Sequence, residues 1–178
     1  MNNRERLRQL LIEHSLREGY FLLSNDGASA HYVDCKKVSL TAEGSYLIGE
    51  AIWMNCPMGV EAVAGLTLGA DPLVMAVVMT SYNNLCGVDG LIVRKEAKGH
   101  GTGVYIEGPD LKEGAYVVVL EDVVTSGKSA MKAVERLREA GYRVDTVIAI
   151  IDREAGGKEY LGNHGLELRS LYTLDDLI

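Results

Sequence analysis

The sequence predicts a single α/β domain with a doubly wound, mainly parallel sheet flanked by helices. Its apolar runs VEAVAG, YVVVLED and VDTVIAIID are dominated by Val, Ile and Ala, as expected for strands buried on both faces. Segments with helical spacing separate these runs, and alternating strands and helices with short connections are typical of this fold class. Ligands of such sheets bind beyond the carboxyl ends of the strands, so the residues after each run are the candidates for function.

The elements before the first apolar run are predicted from spacing and turn residues. Leucines at helical spacing predict a helix over residues 3–18. Two short strands, at 20–23 and 31–33, flank the turn-rich segment SNDGAS. Thr41 is a suitable N-cap for a helix that runs to about Asn55. Packing positions in the core or in a dimer interface are expected at Trp53, Met54 and Met58.

The later elements alternate regularly. The strand in VEAVAG leads to the glycine-rich LTLGAD and a helix through PLVMAVVM. GLIVRK predicts a further strand, followed by the polar loop EAKGHGTG. A helix after YVVVLED has Met131, Val134 and Leu137 on one face, and VDTVIAIID is the last strong strand.

Charge and cysteine usage exclude several classes of protein. The 178 residues carry a net charge of −7, which argues against a nucleic-acid partner because such binding needs a basic face. Three cysteines without CxxC spacing predict neither a zinc site nor a disulfide framework. The charged N-terminus is unlike a signal peptide, and no apolar run reaches the roughly 18 residues that span a bilayer. We therefore expect a cytoplasmic protein without a nucleic-acid or membrane partner.

The segment VVVLEDVVTSGKSA has the features of a sugar-phosphate site. A buried strand ends at two adjacent carboxylates, Glu121 and Asp122, which can accept hydrogen bonds from a ribose diol. The following loop enters a helix, whose N-terminal amides and dipole suit a phosphate. GKS suggests a nucleotide-binding P-loop, but Asp122 stands where that motif requires glycine and would repel a nucleotide's phosphates. A strand–turn–helix with ordinary capping residues is the remaining alternative.

This segment resembles the phosphoribosyl-pyrophosphate (PRPP) motif of type I phosphoribosyltransferases. The resemblance implies that Glu121 and Asp122 bind the ribose hydroxyls and that the loop binds the 5′-phosphate. It also implies a hood lobe, about 1–40 plus the C-terminal segment, on a core of about 41–165 within the single domain 1–178. Lys128 either adds charge to the phosphate site or faces solvent. The implied PRPP-binding loop is Val123, Val124, Thr125, Ser126, Gly127, Lys128 and Ser129.

A second charged segment, RKEAKGHG, follows the strand GLIV. Taken alone, it is also compatible with a solvent-exposed loop. It closely resembles the flexible catalytic loop of orotate phosphoribosyltransferases, Arg-Lys-x-x-Lys-x-His-Gly, which closes over pyrophosphate in the neighbouring subunit's site. The resemblance therefore implies a homodimer, and a catalytic role for Lys98 and His100 in stabilising the departing pyrophosphate. The PRPP contacts that it implies are Arg94, Lys95, Lys98 and His100.

Two further strand ends complete the predicted site. GLTLGADP resembles the family's pyrophosphate loop, although the Tyr-Lys pair of some members is absent. Arg153 can bind a carboxylate through two hydrogen bonds. In the orotate enzymes an arginine here binds the orotate carboxylate, and Thr125 is a further base contact by the same resemblance. The alternative for Arg153 is a surface pair with Asp152 or Glu154. The implied pyrophosphate loop is Thr67, Leu68, Gly69 and Ala70.

One segment departs from the family pattern. In SNDG, Gly27 stands where a lysine or another polar residue is usual. Asp26 adds a negative charge near the expected anionic ligands. The departure puts this part of the predicted site in question.

The resemblance covers nearly the whole chain and implies one reaction. Orotate and PRPP, with Mg²⁺, would give orotidine 5′-monophosphate and pyrophosphate in de novo pyrimidine (UMP) biosynthesis. Mg²⁺ would be held mainly by PRPP oxygens, with no direct protein ligand. Two alternatives remain: another type I phosphoribosyltransferase, acting on a purine or other base, and a non-catalytic PRPP-sensing regulator.

Overall fold

The structure, a computed structural model, describes residues 2–22, 28–97 and 104–178. In chain order its elements are α1 (Asn3–Leu10), β1 (Leu16–Leu22), β2 (Ala28–Val33), α2 (Lys36–Ser39), α3 (Ala42–Trp53), β3 (Ala62–Leu66), α4 (Asp71–Asn83), β4 (Asp89–Val93), β5 (Ile106–Glu107), β6 (Val117–Val124), α5 (Lys128–Glu139), β7 (Thr146–Asp152), α6 (Gly157–Gly162) and β8 (Glu167–Thr173).

The predicted parallel sheet is confirmed. Its described strands lie in the order β5-β4-β3-β6-β7-β8, and all neighbours are parallel except the antiparallel pair β4 and β5. Every residue of β3 and β7 is buried, which explains why their sequences read as continuous apolar runs.

Helices cover both faces of this sheet. Alternate residues of a strand point to opposite faces, and in β6 Val118 and Leu120 join one apolar cluster while Val117 and Val119 join another. The first cluster includes buried residues of α1, α3 and α4, and the second those of α5 and α6. The sheet is therefore doubly wound, as predicted. None of the helices in the described ranges combines the length and apolar character needed to cross a membrane.

The N-terminal helix prediction is wrong in its last three residues, 16–18. The helix α1 continues only as a π-helical turn, Leu11–Ser15, and the chain is extended from Leu16. Residues 16–22 pair antiparallel with β2 in a separate two-stranded sheet, so the strand starts earlier than the predicted 20–23. The pairing of residues 16–18 with residues 31–33 overrides the helical spacing of the leucines.

The helix predicted from Thr41 is confirmed. The Thr41 hydroxyl accepts a hydrogen bond from the Gly44 N–H at 3.1 Å, and α3 ends at Trp53. Trp53 packs against the core, whereas Met54 and Met58 are 82% and 99% exposed and do not belong to the core of this chain.

The last strand was not predicted. The strand β8 pairs with β7 at the edge of the large sheet, and its segment then packs against α1. Arg4 donates to the Leu171 carbonyl at 3.0 Å, and the Tyr172 hydroxyl donates to the Arg4 carbonyl at 2.6 Å. Hydrogen bonds therefore link α1 to β8.

Candidate active site

The predicted site segments meet at the carboxyl edge of the sheet. The Thr67 N–H donates to the Val93 carbonyl at 2.8 Å, which joins the ends of β3 and β4. The Arg153 N–H donates to the Val124 carbonyl at 2.9 Å, which joins the ends of β7 and β6. The topology thus brings four strand ends that are distant in sequence to one edge.

The segment after β6 forms a turn that opens into α5. Gly127 has φ +77° and precedes Lys128, the first residue of α5, so the helix begins with amide groups directed at the turn. The turn lines a polar cavity of about 190 Å³ together with Glu121. This geometry suits a phosphate group. Lys128 and Ser129 are exposed, whereas Thr125 and Ser126 are half-buried.

Gly157 in α6 packs directly behind this turn and was not predicted as a site residue. A Cβ atom there would lie 2.5 Å from Val124 Cγ1 and 2.7 Å from the Thr125 carbonyl oxygen. Those distances leave no room for a side chain. Its only signal in the sequence is the GG pair after the last strong strand.

The acid pair lies within β6, which continues to Val124, so Val123 and Val124 belong to the strand and not to the predicted loop. The two acids have different environments. Glu121 is 7% exposed, and its Oε2 is buried without a hydrogen-bond partner among the described residues. Burial, followed by the negative charge of Asp122, raises the pKa of Glu121 to about 8. Asp122 Oδ1 accepts the Val123 N–H at 2.9 Å. A protonated carboxyl beside a carboxylate offers both a donor and acceptors to a diol.

Lys36 approaches this acid pair from the N-terminal part of the chain. Its Nζ lies 2.8 Å from Asp34 Oδ1 and 3.6 Å from Asp122 Oδ2. The hydrogen bond from Lys36 is the main cause that lowers the pKa of Asp34. Lys36 was not predicted as a site residue, because its contact with Asp122 spans 86 positions of sequence.

The glycine-rich loop after β3 contacts the acid pair. A Cβ atom on Gly69 would lie 2.7 Å from Asp122 Oδ2, so only glycine allows this approach. The Thr67 hydroxyl donates to Asp71 Oδ2 at 2.8 Å, which ties the loop to the first turn of α4. Leu68 is 65% exposed and Ala70 is buried.

The described part of the basic segment lies beside this loop. Arg94 pairs with Glu107 at 3.2 Å, and Thr67, Arg94 and Lys95 line a common cavity of about 410 Å³. Arg136 of α5 donates to the Lys95 carbonyl at 2.7 Å and stacks 4.0 Å from the Tyr105 ring centre. Lys98 and His100 lie outside the described residues, as do Asp26 and Gly27.

Arg153 connects the end of β7 to the N-terminal hairpin. It donates to the His31 carbonyl at 3.0 Å, and burial lowers the pKa of its guanidinium. Asp152 Oδ1 accepts the Glu154 N–H at 2.9 Å. Arg153 therefore lies between the large sheet and the lobe formed by β1 and β2.

Comparisons with known proteins identify the family. A scan against models of protein families found no match. The orotate phosphoribosyltransferase of Synechocystis sp. is 55% identical over 174 residues, which cover 98% of this chain and 88% of that protein. The structure of the Mycobacterium tuberculosis H37Rv orotate phosphoribosyltransferase in complex with Fe(III) dicitrate has a TM-score of 0.84 at 34% identity, with 99% of each chain covered. The same enzyme in complex with PRPP gives a TM-score of 0.82 at 32% identity, again with 99% of each chain covered. This chain therefore belongs to the orotate phosphoribosyltransferase family.

Proposed function

We propose that this protein transfers the phosphoribosyl group of PRPP to orotate, giving orotidine 5′-monophosphate and pyrophosphate in de novo UMP synthesis. The observation that carries the proposal is the end of β6, where Glu121 and Asp122 adjoin the glycine turn at the start of α5. An acid pair for the ribose diol thus stands next to a turn for the 5′-phosphate. The PRPP complex of a protein with the same fold supports this assignment.

The reaction requires positioning and charge stabilisation rather than a nucleophile. Charge accumulates on the departing diphosphate, and preorganised cations at that position stabilise the transition state. Arg94 and Lys95, which share a cavity with Thr67, would bind the diphosphate from one side. Lys98 and His100 would add the transition-state contacts.

Arg153 would bind the orotate carboxylate. Its guanidinium offers paired donors that match a carboxylate, and its position between β7 and the N-terminal hairpin would place the base under the hood lobe, with Thr125 as a second contact. The hood lobe in this proposal consists of about 1–40 together with the C-terminal segment, over a core of about 41–165.

Mg²⁺ is the proposed cofactor. In this proposal the acid pair receives the ribose diol, including at Glu121 Oε2, which has no hydrogen-bond partner within the described part of the chain. The oxygens of that diol and of the diphosphate are the ligand type that Mg²⁺ takes. When bound with PRPP, the ion would neutralise charge on the diphosphate. The ion would be held mainly by PRPP oxygens, with no direct protein ligand.

The working unit is proposed to be a homodimer in which the basic segment acts in the neighbouring subunit's site. An apolar stripe on α4 supports this proposal. It consists of Met75, Met79 and Tyr82, which are 54%, 57% and 73% exposed and lie on one face at helical spacing. Contiguous exposed apolar residues mark interaction surfaces. The three free cysteines support a reducing compartment, and we place the protein in the cytoplasm.

The loss of orotate absorbance after addition of PRPP and Mg²⁺ tests the proposal. We expect orotate to be consumed, and adenine, hypoxanthine and uracil to be untouched under the same conditions. Consumption of one of those bases in place of orotate would assign a different phosphoribosyltransferase activity. Binding of PRPP with no base consumed would favour the regulator.

A further inference from the structure

Lys36 links the N-terminal segment to the acid pair of β6. It is the first residue of the short helix α2, directly after the β2 hairpin. The neighbouring Cys35 is fully buried, and its Sγ donates to the Asp122 carbonyl oxygen at 3.8 Å. The segment 34–36 therefore contacts Asp122 at both its backbone and its carboxylate.

The Asp122 carboxylate is confined on three sides. Its own strand contributes the Val123 N–H at 2.9 Å. The backbone of Gly69 closes a second side, where even a methyl group would lie 2.7 Å from Oδ2. The Lys36 ammonium occupies the third side, at 3.6 Å from Oδ2.

Lys36 itself is held in place. Asp34 Oδ1 lies 2.8 Å from its Nζ and also accepts the Lys36 N–H at 3.2 Å. The hydrogen bond that the ammonium donates to Asp34, followed by the charge of Asp122, raises the pKa of Lys36 against the opposing effect of burial. The lysine thus bridges the carboxylates of Asp34 and Asp122. Its side chain is 36% exposed, so its charge-assisted contacts are partly shielded from water.

We propose that Lys36 is a positioning residue for PRPP binding: it fixes the Asp122 carboxylate, through its ammonium group, in the orientation that receives the ribose diol. The inference rests on the proposed function, because it takes the acid pair as the ribose site. Lys36 acts on the substrate through Asp122. The N-terminal segment, which also accepts a hydrogen bond from Arg153 at the His31 carbonyl, is thereby coupled to the sugar site.

The dissociation constant of PRPP, measured by calorimetry without orotate, tests this role. Lys36→Gln should weaken PRPP binding about tenfold, as expected for the loss of a charge-assisted contact that orients a ligand group. Lys36→Arg should restore binding to within about threefold, because it keeps the charge. Lys37→Gln is the matched control: Lys37 is adjacent and exposed, and its loss should leave binding unchanged. Thermal midpoints verify that each variant is folded.

A double-mutant cycle separates positioning from direct contact. In an Asp122→Asn background, Lys36→Gln should change the dissociation constant less than about twofold, since residues that act as a unit are not additive. A full additional tenfold loss would show that Lys36 contacts PRPP independently of Asp122 and would overturn the proposal. Unchanged binding in the single variant would overturn it as well.

The same data distinguish the inference from the proposed function. If PRPP binding depends on Lys36 in this way while orotate is never consumed, the positioning role stands and the transferase activity does not. If orotate is consumed and Lys36→Gln binds PRPP normally, the activity stands and the positioning role is wrong. A wild-type protein that does not bind PRPP would contradict both.

Discussion

The burial of Glu121 makes the free energy of unfolding depend on pH. Its ordinary pKa is 4.5, and burial followed by the charge of Asp122 raises the folded value to about 8. Between these values the folded protein retains a proton that the unfolded chain has lost. The contribution of Glu121 to the free energy of unfolding therefore decreases as pH rises from about 4.5 to about 8.

This dependence predicts that the wild type and Glu121→Gln differ in their free energy of unfolding by an amount that changes with pH. Glutamine keeps the shape and removes the titration, so the variant should gain stability relative to the wild type from pH 5 to pH 8. The slope should approach about 1.4 kcal/mol per pH unit for one fully linked proton. Urea unfolding of both proteins across this range measures the difference. Two parallel curves would mean that Glu121 is ionised in the folded protein.

At the residue scale, the sequence predicted groups that are adjacent in the chain. Glu121, Asp122 and the turn through Gly127 lie on one strand–turn–helix unit, whose chemistry is local. Lys36 escaped prediction because its partner Asp122 is brought near only by the packing of the N-terminal segment on the sheet. Gly157 was not predicted because the contact that excludes a side chain there comes from the turn after β6, which is distant in sequence.

At the element scale, α6 packs behind the turn 125–127, which we propose binds the 5′-phosphate. Gly157→Ala would place a methyl group against Val124 and the Thr125 carbonyl. We expect a loss of about 1–3 kcal/mol in the free energy of unfolding and a higher KM for PRPP, because the turn must shift.

A matched glycine in the same helix provides the control for this change. A methyl group on Gly162 would point into open space, since no described residue packed against the helix would lie within 4 Å of it. Gly162→Ala should therefore leave KM unchanged and stability equal or slightly higher. Urea unfolding and steady-state kinetics of the two variants give the comparison. An equal effect of both substitutions would contradict the support role of Gly157.

The elements that the sequence predicted are those whose pattern is set by burial. The strands β3, β6 and β7 lie in the middle of the sheet, and their continuous apolar runs identify them. The edge strand β8 mixes buried, half-buried and exposed positions, so its sequence has no continuous apolar run by which to identify it. Residues 16–18, the start of β1, were predicted as helix because their extended conformation depends on pairing with β2.

At the scale of the whole molecule, the apolar stripe on α4 predicts the oligomeric state. Met79→Glu places a charge in the middle of the stripe and should yield monomers, because burying an unpaired carboxylate is costly. Light scattering after size exclusion measures the mass, and turnover should fall at least about tenfold if the basic segment serves the neighbouring site.

An exposed methionine elsewhere controls for the added charge. Met58 is 99% exposed in the segment after α3; if α4 rather than Met58 forms the dimer interface, Met58→Glu should leave both mass and turnover unchanged. A Met79→Glu protein that remains dimeric would show that α4 is not the interface. A fully active monomer would exclude a basic segment that acts across subunits.

The fold class of the whole molecule could be predicted from a few features of the sequence. Alternating buried strands and helices sufficed for the doubly wound sheet, because burial on both faces constrains composition strongly. The packing of α1 against β8 could not be predicted from the sequence. The bonds from Arg4 and Tyr172 that join α1 to β8 involve polar side chains whose partners are backbone carbonyls, and no sequence pattern identifies those.

The most direct test of the central claim is the stoichiometry of one reaction mixture that contains the protein, PRPP, Mg²⁺ and orotate. Orotate consumed and pyrophosphate released should be equal, with orotidine 5′-monophosphate as the product. An Asp122→Asn variant should reduce both rates together, because it weakens the proposed contact with the ribose of PRPP, the substrate from which both products are formed. Pyrophosphate released without loss of orotate, or neither change at any protein concentration, would contradict the account.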